Sequence, residues 1–133
     1  MKVLILCLSV LLPALVLADN DCAKHRFARG ECAVLFDDSK CGGWKYPVKT
    51  GYHELSFRRR NDVESLIVKE GCKFTGYDHD GTTAKERGDF VIVDARNSRR
   101  PEVRELKGDK MDERISSLQC FCEYQGRPSF VGK

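Results

Sequence analysis

The chain has little with which to run acid–base or nucleophilic chemistry. Its three histidines, His25, His53 and His79, are scattered, and it has neither a Gly-x-Ser-x-Gly elbow nor a His-Glu-x-x-His pair. Asp37 and Asp38 are adjacent, so on an extended backbone they point to opposite faces and make poor partners. The expectation is a protein that is not an enzyme. Charge of one sign is lacking too: 23 basic against 20 acidic side chains is too weak an excess for a dedicated nucleic-acid binder. Asn20, Asn61 and Asn97 are all followed by the wrong residues for a sequon, so no N-glycan is expected. Helical periodicity is poor, with no window beyond two turns showing clean apolar spacing at three and four.

Long apolar runs are confined to the start. Met1-Lys2 is a short basic opening, residues 3–10 are almost wholly apolar, and the run continues to Ala18 around Pro13. Val16 and Ala18 are the small residues that a signal peptidase needs, so cleavage is expected after Ala18. The competing reading is a membrane anchor. Against it, the run is about 16 residues, short of the ~20 that a spanning helix requires. Residues 1–18 are therefore expected to be a signal peptide. The mature chain of 115 residues suits one domain in the extracellular space or a secretory-granule lumen. No second run of spanning length follows, so a mature protein not embedded in a membrane is expected.

Cys7 leaves with the signal. Cys22, Cys32, Cys41, Cys72, Cys120 and Cys122 remain. An even set in a small secreted domain reads as three disulfides. The rival is a zinc site, but Cys120-Phe121-Cys122 has a one-residue gap where two is usual, and no His pair lies nearby. Six cysteines allow 15 pairings, and the sequence does not choose. On a strand, Cys120 and Cys122 would share a face and need separate partners.

Short β-branched or aromatic runs bounded by turn residues predict strands over 32–36, 65–68, 72–77, 90–93 and 115–121. A weak repeat of about 40 residues links them. Each unit opens on Cys, runs to an aromatic and an acidic-Gly turn, and continues with Gly and an aromatic strand: Gly51-Tyr52-His53-Glu54-Leu55 in the first, Gly88-Asp89-Phe90-Val91-Ile92-Val93 in the second. Each ends in a polar turn feeding a Ser-Leu strand. Two such units, each without a core, are expected to pack face to face as an all-β sandwich.

This order resembles the βγ-crystallin double Greek key, and the cysteine frame is similar to that of the syncollin family of exocrine granule proteins. The stretches that carry the likeness are Cys32-Ala33-Val34-Leu35-Phe36-Asp37-Asp38-Ser39, Cys41-Gly42-Gly43, Ser65-Leu66-Ile67-Val68 through Cys72, and Ile115-Ser116-Ser117-Leu118-Gln119-Cys120-Phe121-Cys122. The resemblance implies a Cys-bearing extension over 19–31, a domain over 32–123 with units at about 32–70 and 72–122, and a tail over 124–133. It also implies a secreted binding protein that associates with membrane lipid or a secreted or cell-surface protein, and that self-associates. The alternative is a secreted membrane-active effector, such as a venom or defence polypeptide.

Many βγ-crystallin domains hold Ca²⁺ in a turn of two Asn/Asp, two variable residues, Ser/Thr and Ser, because this hard cation takes 6–8 oxygens. The resemblance therefore places a calcium site at Asp112, Glu113 and Ser116, within Asp112-Glu113-Arg114-Ile115-Ser116-Ser117. The first unit offers Asn61 and Glu64, but Arg60 stands at the first place and opposes a cation by charge. Asp78-His79-Asp80-Gly81 has the look of an EF-hand fragment, yet Arg87 stands where the closing Glu belongs, so a turn is expected. The basic runs Arg58-Arg59-Arg60 and Arg99-Arg100 read as solvated loops, as lipid contacts worth roughly 1 kcal/mol per charge, or as processing sites. Trp44 and Tyr46 suit either an exposed ridge or a cover over the core edge.

Secretion from a eukaryotic host should yield a product whose amino-terminal sequencing reads Asp19-Asn20-Asp21. A cell-bound product beginning at Met1 would establish the anchor instead.

Overall fold

The computed structural model describes residues 21–123. Residues 1–20, with the expected signal peptide over 1–18, and residues 124–133, the expected tail, lie outside the described residues. Eight strands form two antiparallel sheets. They are β1 (Glu31–Phe36), β2 (Lys45–Lys49), β3 (Gly51–Glu54), β4 (Ser65–Val68), β5 (Cys72–Tyr77), β6 (Phe90–Asp94), β7 (Glu102–Glu105) and β8 (Ser117–Cys122). One sheet runs β2-β1-β4-β7 and the other β3-β8-β5-β6. Each holds three strands of one unit and the third strand of the other. The two halves therefore do pack face to face, but with a strand exchanged in each direction.

The exchange corrects the repeat read from sequence, which equates 51–55 with 88–93. In the fold the first stretch is β3, a third strand paired with β8, whereas the second is β6, a second strand paired with β5. The partner of β6 in the repeat is β2, and that of β3 is β7. β2 carries Pro47, which removes a main-chain donor and is tolerated because β2 is an edge strand. β7, Glu-Val-Arg-Glu, is exposed at all four positions. Nothing in its pattern marks a buried face, and its charges suit an edge that must not recruit another chain.

Burial explains the remaining strand patterns. β5 and β6 alternate, because one face meets the core and the other is open. β1 and β4 are buried on both faces. Their inner residues, including Ala33, Leu35, Leu66 and Val68, meet Phe74, Val91, Val93, Leu118 and Cys120 of the other sheet. Their outer residues Val34, Phe36 and Ile67 form a second cluster with Cys22 and Cys41, against which Phe27 packs. The N-terminal segment thus lies over the outer face of the β1–β4 sheet. A 3₁₀ turn, Asp21–Lys24, opens it. Among the described residues a single short α-helix, α1 (Ala84–Arg87), sits in the β5–β6 connection behind a Thr83/Glu86 capping box.

Three disulfides hold this arrangement. Cys22–Cys41 ties the N-terminal segment to the β1–β2 connection. Cys32–Cys120 joins the two sheets, next to a bulge at the start of β1. Cys72–Cys122 links facing residues of β5 and β8. Cys120 and Cys122 do take separate partners. The Sγ atoms of Cys32, Cys72 and Cys122 lie within 4.8 Å of one another, the only such trio of Cys, His, Asp and Glu donors among the described residues. All three are consumed in disulfides, which leaves no thiolate for zinc.

In the chain-entropy account a cross-link contributes more when it closes a longer loop. Cys32–Cys120 spans 88 residues and Cys22–Cys41 spans 19. Chemical denaturation should therefore find a loss of about 4 to 5 kcal/mol for Cys32→Ser with Cys120→Ser, against about 3 kcal/mol for Cys22→Ser with Cys41→Ser.

Candidate metal centre

The two turns that enter the last strand of each unit occupy equivalent places. Asn61 and Glu113 stand at matching positions with φ of 58° and 53°. Asn adopts this left-handed region readily and Glu does so seldom, so Glu113 is held there by its surroundings. Those surroundings are reciprocal. The Asn61 amide donates to the Ile115 carbonyl at 3.0 Å, and the Glu113 amide donates to the Val63 carbonyl at 3.2 Å. Each turn is thereby fastened to the other unit's turn. The closing serines fasten each turn to its own unit: Ser65 Oγ donates to the Asp38 carbonyl at 2.6 Å, and Ser117 Oγ to the His79 carbonyl at 2.8 Å.

The cross-fastening regroups the residues that the sequence places in two local sets. In one pocket Glu64 of the first unit meets Glu113 and Asp112 of the second, with Asp38 nearby. The Glu64 carboxyl shares a hydrogen bond with Glu113, its surroundings partly desolvate it, and Asp112, Glu113 and Asp38 surround it with negative charge; together these hold its pKa above the ordinary 4.5. Asp112 Oδ1 is buried with no hydrogen-bond partner. In the other pocket Ser116 Oγ donates to Asn61 Oδ1 at 3.0 Å. Asp112 and Glu113 therefore gather with Glu64, whereas Ser116 gathers with Asn61.

The second pocket carries its own cations. The Arg60 guanidinium pairs with Asp80 and lies 3.5 Å from the Leu55 carbonyl. Arg114 pairs with Asp78 and reaches Asp89 at 3.4 Å. Both aspartates of the EF-hand-like stretch are thus engaged by arginine, and the stretch is a turn. Asp80 keeps one buried oxygen, Oδ1, unpartnered.

The donors fit calcium in one pocket. Its carboxylates and adjoining main-chain carbonyls are the hard oxygens that Ca²⁺ takes, and the unpartnered Asp112 oxygen is a donor without a proton to accept. Glu64, Asp112 and Glu113 as a set stand further apart than 4.8 Å. Carbonyl oxygens would therefore be needed to complete a coordination sphere. In the second pocket the Arg60 guanidinium lies beside the carboxylate that a cation would use.

The basic run is divided. Arg59 stacks on Trp44 and Tyr46, at 5.0 and 4.7 Å from the ring centroids, and these rings pack against the core edge. Arg60 is bound to Asp80, and Arg58 is exposed beside Phe57, which is 97% exposed. The three arginines do not form one face. The turn between the Asp37 and Trp44 positions also needs Gly43. Its φ is +73°, and a Cβ there would stand 1.8 Å from Asp37 Oδ1, the acceptor of the Trp44 amide.

No family model and no curated protein matches the chain. Solved structures do. One, from work on the evolution of the eye-lens βγ-crystallin domain fold, aligns with a TM-score of 0.58 at 18% identity over 74% of this chain and 92% of its own. A βγ-crystallin domain from Flavobacterium johnsoniae gives 0.57 at 13% identity over 72% of this chain and 100% of its own. The N-terminal domain of protein S gives 0.54 at 20% identity over 68% and 96%. At these identities the likeness is one of fold, and the fold is the βγ-crystallin double Greek key.

Glu64 yields a pH prediction. Its native pKa is raised, so its contribution is complete below the ordinary value of 4.5 and is lost as pH rises through the native one. In calcium-free buffer the melting temperature should fall as pH climbs from about 4.5 towards neutrality. Glu64→Gln should flatten that slope, which melting curves across the range would read directly.

Proposed function

We propose that the protein is a secreted, non-enzymatic binding protein whose βγ-crystallin fold is stabilised by one calcium ion. The observation that carries the reading is the meeting of Glu64 with Asp112 and Glu113 across the unit boundary, with Asp112 Oδ1 buried and unpartnered. A divalent cation there would offset the mutual repulsion of these carboxylates and fasten the two units at the turns that already hold them together. Glu64, Asp112 and Glu113 would supply its carboxylate oxygens. In the second pocket the Arg60 guanidinium already pairs with Asp80, where a cation would sit.

The cysteine frame and the leader support a finer version of the same reading: a syncollin-like protein of the secretory route that associates with membrane. Arg58, exposed beside Phe57 on the β3–β4 turn, is the residue of the 58–60 stretch that remains available to a lipid surface.

Calorimetry on chelator-stripped protein should find one calcium ion per chain. Free calcium at about 100 times Kd should add about 2.7 kcal/mol to stability. Asp112→Asn should weaken binding at least tenfold, and Arg60→Asn should raise the stoichiometry towards two. An absence of calcium heat, together with a melting temperature unmoved at millimolar calcium, would sink the proposal.

A further inference from the structure

A second binding site lies where the N-terminal segment crosses the outer face of the β1–β4 sheet. The His25 side chain is 3% exposed, with Phe27 edge-on at 4.6 Å. Neither His25 Nδ1 nor Nε2, both buried, has a hydrogen-bond partner. The nearest carboxylate oxygen, Glu31 Oε2, stands 3.5 Å from Nε2 and already accepts from the Ala28 amide at 3.1 Å. A buried imidazole carries at least one N–H donor in either charge state, and here the only acceptor at hand among the described residues is a distant carboxylate oxygen already engaged by another donor.

His25 borders two adjoining cavities of about 310 and 300 Å³, both also lined by Arg26, Arg100 and Pro101. Lys69 and Arg99 join the second. These cations come from three separate segments: the N-terminal stretch, the end of β4 and the β6–β7 connection. Arg26, Lys69, Arg99 and Arg100 make no ion pair among the described residues, although Arg60, Arg96, Arg104 and Arg114 each hold a carboxylate. The acidic groups nearby are Glu31 beside His25 and Glu70 in the second cavity. Four unpaired cations and an idle imidazole donor around one hollow want an oxygen-rich anion, and the planar guanidinium fork suits a tetrahedral one.

We infer that this hollow binds a phosphate or sulfate ester, with Arg26 and Arg100 gripping the oxyanion and the His25 ring N–H donating to it. Cavities of this size leave room for the group that bears the anion. The site is separate from the calcium pocket, draws on none of its residues, and gives the Arg99-Arg100 run a role.

The test is a titration of the whole mature protein with sodium sulfate and with sodium phosphate, against sodium chloride at matched ionic strength, read by calorimetry and thermal melting. Saturable stabilisation by the two oxyanions beyond that of chloride is expected. Arg100→Ala, an exposed position that does not threaten the fold, and His25→Gln should each weaken it at least tenfold. Lys85→Ala, an exposed position on α1, should leave it unchanged. Sedimentation with phosphatidylcholine vesicles, with and without a phosphatidylinositol phosphate, finds the source. Capture lost in Arg100→Ala assigns a lipid headgroup; intact binding of the free anions without capture assigns a soluble ester. Stabilisation no greater than that of chloride, or a loss in Lys85→Ala as large as in Arg100→Ala, would overturn the site.

Discussion

Neither half of this chain can finish a sheet by itself. β3 leaves the first unit to pair with β8, and β7 leaves the second to pair with β4. The turns that follow these exchanged strands are bonded to each other through the amides of Asn61 and Glu113. Much else depends on that reciprocal fastening. It aligns the inner faces that bury Leu35, Leu66, Phe74 and Leu118, and it makes both candidate metal pockets composites of the two units. Fold and candidate site thus rest on a single constraint.

The scaffold is nearly two-fold, but its two halves are dressed differently. One pocket gathers acids that raise the proton affinity of Glu64, whereas in the other Arg60 and Arg114 already pair with aspartates. The outer faces of the sheets differ in the same way. Over β1 and β4 the chain lays its own N-terminal segment, pinned by Cys22–Cys41, and both strands are buried but for the half-buried Glu31 that opens β1. On the other sheet Phe90, Ile92 and Phe121 face outward and are exposed. A duplicated fold has thereby become a molecule with distinct ends and distinct faces.

How much of this could be read beforehand follows from how local each signal is. β1, β4, β5, β6 and β8 were legible because continuous or alternating apolar runs report burial directly. β2 and β7 were not, since an edge strand with a proline or with four exposed residues leaves no trace of its pairing. The even cysteine count announced disulfides, and strand parity required Cys120 and Cys122 to have separate partners, but connectivity needed the fold. The metal-site residues show the same limit. A linear motif groups Asp112 and Glu113 with Ser116, three and four places on, whereas the exchanged topology carries Glu64, about fifty residues away, into contact with Glu113 instead. His25 carried no sequence signal for its role at all, because its burial depends on a disulfide and on a covering segment.

The cross-links have a further consequence for the chain as a covalent object. The loops closed by Cys22–Cys41, Cys32–Cys120 and Cys72–Cys122 overlap end to end, so each peptide bond between Cys22 and Cys122 lies inside at least one of them. A protease that nicks the described domain once, at any connection, therefore frees no fragment. The nicked molecule keeps its mass and its pieces stay tethered, and the cut becomes visible only after reduction. In a fluid rich in digestive enzymes, such a protein would wear by accumulating silent breaks before it came apart.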